Sequence, residues 1–193
     1  MKLTKMLGFA AAAALALMAF ASTASATTLE TNGVLQTNDV NLEATLSGSA
    51  TLSDTSNTFA NTCKASTVTG SDSTQTSGLV VSGPLSTLSF SSCTHEKVVV
   101  DKRGTLSIEI IGVGLNGTVR SNGAEVTVPA TIGSSVITVN CKTSNTDLGT
   151  LTGTTTGTSV IHVNAVLNCG FFLPSAKWVG TYNITGHSIS VTT

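Results

Sequence analysis

Cys63, Cys93, Cys141 and Cys169 are the four thiols of the chain, and they fall in two similar frames. Cys63 opens the run C-K-A-S and Cys141 opens C-K-T-S. Cys93 is followed eleven residues on by G-T-L-S-I (Gly104 to Ile108), and Cys169 by G-T-Y-N-I (Gly180 to Ile184). The gaps within the frames are 30 and 28 residues. Four thiols can hold a metal or oxidise to disulfides. A metal centre calls for close pairs such as C-x-x-C, and no such Cys/His spacing occurs, so no metal and no other cofactor is expected. Disulfides are expected, given the export leader described below. If the frames record an internal duplication (about 56–111 and 134–186), they favour Cys63–Cys93 and Cys141–Cys169 among the three connectivities. Chance matching in a Thr/Ser-rich chain is the other reading of the frames.

Three histidines offer acid–base chemistry: His95, His162 and His187. In Val160 to Leu167, His162 alternates with Ile161 and Val163, which puts it on the polar, outward face of a strand. No G-x-S-x-G, H-E-x-x-H or G-x-x-x-x-G-K-[ST] spacing is present, and no local carboxylate pair suggests glycoside hydrolysis. No catalytic residue is assigned, and a secreted hydrolase is the least favoured function. The aromatic residues carry more information. Past the leader they number six, and Phe171, Phe172, Trp178 and Tyr182 lie within twelve positions. On a strand, Trp178, Gly180, Tyr182 and Ile184 share one face. Flat rings beside a glycine form a platform for a sugar ring or a small apolar ligand, or else the heaviest part of a core.

These residues sit behind an apparatus for export. Met1 to Ala26 combines Lys2 and Lys5, an apolar stretch from Met6 to Phe20, and Ala24-Ser25-Ala26, which is the grammar of a secretory signal peptide cleaved near Ala26. The stretch is shorter than the ~20 residues of a spanning helix, and no later segment approaches that length, so no transmembrane segment is expected after cleavage. The alanine-rich leader has a bacterial style. The product is expected to be secreted, to the extracellular space or the cell envelope and periplasm. Loss of Lys2 and Lys5 leaves a net charge of about −3 with scattered bases, no footprint for nucleic acid.

Beyond the leader, 32 Thr and 22 Ser dominate, while charge is scarce and Val, Ile and Leu recur with period two. Thr is β-branched and suits exposed strand faces, so the chain is read as all-β rather than disordered. Thr27 to Asp39 is a polar lead-in, and 40–193 is a single domain. Strands are expected at Val40 to Leu46, Leu106 to Ile110, Val136 to Cys141, Ser159 to Cys169, Lys177 to Ile184 and Ser188 to Thr192. Asn122-Gly123 predicts a tight hairpin between flanking strands. Glu96 to Arg103, the one dense charge run, predicts a hairpin tip. Turn spacing predicts an antiparallel β-sandwich, or a partly closed barrel, of roughly ten to twelve short strands stapled by two disulfides. The function expected is a non-catalytic structural or surface-interaction role, with self-association or cell-surface and polysaccharide contact. The alternative is a carbohydrate- or small apolar ligand-binding module built on Phe171, Phe172, Trp178 and Tyr182.

Overall fold

The alternation of apolar and polar residues produces an all-β chain. A computed structural model describes residues 27–55, 59–72, 80–95, 97–112, 114–132, 135–171 and 173–192. The leader and Phe172 lie outside the described residues. In chain order the strands are β1 (Thr28–Thr31), β2 (Val34–Leu35), β3 (Val40–Leu46), β4 (Ala50–Asp54), β5 (Ala60–Asp72), β6 (Val80–Cys93), β7 (Val99–Lys102) and β8 (Thr105–Ile110). They continue as β9 (Gly117–Asn122), β10 (Glu125–Ile132), β11 (Ser135–Lys142), β12 (Thr146–Thr152), β13 (Val160–Leu167), β14 (Ala176–Thr185) and β15 (Ile189–Thr192). No helix occurs among the described residues.

Of the two architectures expected from turn spacing, a sandwich or a partly closed barrel, the chain adopts a barrel, and its ring is closed. β13, β12, β9, β8, β6, β5, β3 and β14 are hydrogen-bonded in that order, and β14 returns to β13 from Val160↔Asn183 to Leu167↔Ala176. Every pairing in the ring is antiparallel. β4 continues the position of β3: β5 pairs β3 from Val40↔Asp72 to Thr45↔Thr67, then β4 from Ala50↔Cys63 to Ser53↔Ala60. The break between them contains Gly48, at φ 86°. Alternation gives sandwich and barrel the same inward apolar face, so it could not decide between them. Closure depends on the pairing of β14 with both β13 and β3.

Two three-stranded sheets stand outside the ring, in the orders β15-β1-β2 and β11-β10-β7. They raise the number of strands above the ten to twelve expected. Leu29, Ile189 and Val191 of the first are fully buried, so the polar lead-in contributes an ordered strand. The second takes in half of the charged run expected as a hairpin tip, since Val99–Lys102 pairs with β10 as a strand. Its Glu125 accepts from Lys102 at 3.0 Å and from Lys142 at 3.1 Å, one cation from each flanking strand. Hydrogen bonds from these two ammonium groups lower its carboxyl to about 2.

Asn122-Gly123 turns, but not into the predicted hairpin. β9 pairs with β8 and β12, whereas β10 pairs with β11 and β7. Gly123, at φ 72°, takes the chain out of the barrel wall, and the exit is held by Gly123 N–H donating to the Thr143 carbonyl and Thr143 N–H to the Ala124 carbonyl.

Both disulfides join the partners expected from the frames, Cys63 to Cys93 and Cys141 to Cys169. Their settings differ. Cys63 and Cys93 face each other on β5 and β6, while Cys141 on β11 is bonded to a residue just past β13. Such bonds indicate an oxidising, extracytoplasmic compartment.

Candidate functional site in the barrel interior

Strand alternation on β14 points Ala176, Gly180, Tyr182 and Ile184 inward, all buried, with Trp178 partly buried on the same side. The shared face read from the sequence is therefore the inner wall of the barrel. Trp178 sits opposite Leu52 of β4, which in turn faces Asn61 of β5. Tyr182 sits opposite Leu46 of β3, and its hydroxyl is 3.1 Å from the hydroxyl of Ser66. Between these two rows Gly180 and Ala50 supply almost no side chain; a Cβ on Gly180 would lie 3.3 Å from that of Ala50. Phe90 on β6 completes the aromatic wall, edge-on to Trp178 at 6.0 Å, and Trp178 meets Tyr182 edge-on at 6.4 Å.

The small residues leave space. A cavity of about 130 Å³ runs through the interior, walled by side chains such as Leu42, Leu88, Phe90, Ile161, Trp178 and Tyr182. Val126 and Val128 from one external sheet and Ile189 from the other also line it. At about 24 cal/mol per Å³, an unfilled cavity of this size costs roughly 3 kcal/mol, a large share of the stability of a typical domain. Eight antiparallel strands enclose room for filling side chains or for one small ligand.

Polar groups on this lining are few. Burial raises the Tyr182 phenol to about 12, a shift partly offset by its hydrogen bond with Ser66. Removing that hydroxyl would leave the Ser66 hydroxyl, 5% exposed, without its partner. Tyr182→Phe is expected to cost about 1–2 kcal/mol in urea unfolding with the lining otherwise intact. Asn61 accepts from the Thr94 hydroxyl and the His95 N–H, both at 3.4 Å, while its buried Nδ2 has no hydrogen-bond partner among the described residues.

Asp72 is the one acid or base on the lining apart from the Tyr182 phenol. It ends β5 opposite Val40 and is 5% exposed, and its carboxyl group has no hydrogen-bond or ion-pair partner among the described residues. Burial raises its carboxyl to about 7. The folded state therefore binds this proton more tightly than the unfolded chain. The stabilising contribution is complete below the unfolded value near 4 and is lost as pH rises towards 7, on the order of 3–4 kcal/mol. Asp72→Asn is expected to raise the melting temperature at pH 8 and to leave it nearly unchanged at pH 4. Equal shifts at the two pH values would rule this account out.

Of the four aromatics read as a platform, the structure places three. Trp178 and Tyr182 share the interior, Phe171 is 93% exposed in the connection after β13, and Phe172 lies outside the described residues. Phe171 stands apart from Trp178 and Tyr182 because β14 begins only at Ala176 and its alternation cannot reach back to Phe171. Phe90 and Asp72 were missed. Their signal was the alternation of Leu88 with Phe90, and of Val68, Gly70 and Asp72, within runs dense in Ser and Thr.

The histidines do not converge. His162 lies on the outer face of β13, as its alternation predicted, across from Thr150 and Thr181. His95 follows β6 and His187 separates β14 from β15. Among the described residues no group of three or more His, Cys, Asp or Glu is placed to hold a metal ion. Comparison with protein-family models, with curated proteins and with solved structures finds no match.

Proposed function

We propose that this chain is an exported, non-catalytic barrel that binds one small apolar molecule in its interior. The observation that carries this reading is the aromatic-walled cavity of about 130 Å³. An engineered apolar cavity of about 150 Å³ stays dry and admits benzene, which sets the ligand scale. The barrel's outer face supports a water-facing role, since β13 exposes His162 and Asn164 beside a single valine, Val166, and β3 exposes Asn41 and Glu43. A lipid-facing barrel carries an apolar band on that side. Export rests on the leader's grammar, and the disulfides are in keeping with it.

Titration with benzene, toluene and indole, followed by Trp178 fluorescence and by thermal melting, tests the proposal. At about 100 times Kd the ligand should add about 2.7 kcal/mol, a rise in Tm of roughly 5–10 °C. A flat response to all three probes would remove the interior as a binding site.

A second reading, a structural role through self-association, draws on β2. It is an edge strand whose Val34 and Leu35 are 62% and 53% exposed, the kind of edge that templates pairing with another chain. Sedimentation across a concentration series should then show dimers that Val34→Lys abolishes. A monomer at every concentration would end that version.

A further inference from the structure

We infer that the interior selects an apolar molecule bearing one amino group, which Asp72 receives. The inference rests on the binding role proposed for the barrel and adds the chemistry of the ligand's polar end.

Three observations carry it. The lining is apolar nearly throughout, yet a carboxyl side chain is among its members. That side chain is 5% exposed, at the end of β5 furthest from the Asn61–Trp178 row. It also lacks a counter-ion. From β3 it faces Val40 in register, and from β6 it meets Gly83, whose neighbours Pro84 and Leu85 line the same space; none of these carries a charge. The salt bridges among the described residues involve Glu125, Lys102 and Lys142, all on the separate three-stranded sheet.

A buried carboxylate without a partner is expensive, and proteins pair such groups or neutralise them. The described residues provide no partner. A ligand ammonium would, giving a charge-assisted hydrogen bond in a setting where competing water is scarce. Its hydrocarbon part would then extend along the apolar wall towards Phe90 and Tyr182. A ligand with a carboxylate or phosphate would meet repulsion at Asp72, so anionic amphiphiles are disfavoured by the same geometry.

Glycines at this end show why the carboxyl is enclosed. A Cβ on Gly83 would stand 1.7 Å from the Ser71 carbonyl oxygen and 2.9 Å from the Asp72 Cα. A Cβ on Gly70 would stand 2.8 Å from the Pro84 carbonyl oxygen. β5 and β6 therefore approach each other where Asp72 turns inward, and the two glycines make that approach possible.

Benzylammonium and ethylbenzene have nearly the same shape and differ in an ammonium against a methyl group. Calorimetric titration of both into the protein at pH 7.5 is the test. Benzylammonium should bind at least tenfold tighter than ethylbenzene. In Asp72→Asn that preference should disappear while ethylbenzene affinity changes by less than threefold. In the wild-type protein the preference should fall as pH drops from 7.5 to 5, because Asp72 takes up a proton. If ethylbenzene binds and benzylammonium is no better, or if Asp72→Asn retains the preference, the role of Asp72 is refuted and the apolar interior stands. If neither compound binds, both this inference and the binding role beneath it fail.

Discussion

Reducing both disulfides is expected to lower the melting temperature by roughly 15–30 °C. The bonds close loops of 30 and 28 residues. In the chain-entropy model each restricts the unfolded ensemble by about 3–4 kcal/mol. For a domain of this size each kcal/mol moves Tm by about 2–4 °C. The two bonds should also be separable. Cys63–Cys93 ties two strands already paired in the wall, whereas Cys141–Cys169 fastens the β11-β10-β7 sheet to the segment after β13. Replacing the second pair with Ala should expose Val128 and Val139, now 3% accessible, to hydrogen exchange before the barrel strands open. A fall in Tm below 5 °C on full reduction would mean that the bonds add little to what the barrel holds alone.

Gly83→Ala is expected to be the most damaging single substitution of a residue outside the disulfides. The added methyl would lie 1.7 Å from a backbone oxygen of Ser71, and no side-chain rotation relieves a clash with backbone. β5 and β6 would have to part at the end that encloses Asp72. Losses above about 4 kcal/mol belong to mechanisms of this kind, so folded protein should be scarce or melt more than 10 °C lower. Thr87→Ala is the control: Thr87 is exposed on the same strand, and its loss should fall within about 0.5 kcal/mol. A Gly83→Ala protein melting within 3 °C of wild type would show that the two strands do not approach so closely.

Much of the local structure was legible in the residues, and most of the global structure was not. Period two on Val40 to Leu46, Val160 to Leu167 and Lys177 to Ile184 placed strands and faces correctly, since each side chain's side of a strand follows from its position alone. The disulfide partners followed from the cysteine frames. Barrel closure could not be read, because Tyr182 meeting Leu46 is a matter of pairing between distant segments. Asn122-Gly123 set a turn but not a destination. Asp72 was hidden for a further reason: a carboxylate among Ser and Thr looks like surface, even where it alternates with Val68 and Gly70.

The barrel's closure also dictates when the fold can exist at all. β14 is the strand that joins β13 to β3, and β1 meets β15 across a separation of 164 residues, bridged by Thr28 Oγ1 donating to the Thr192 carbonyl. Until β14 has been synthesised, β13 and β3 each lack a neighbour and the wall stays an open sheet with two bare edges. Pairings this remote in sequence form slowly, in milliseconds to seconds, after local hairpins are in place. A chain whose ring closes only through one of its last strands spends most of its synthesis as an open sheet, and it encloses an interior only when that strand arrives.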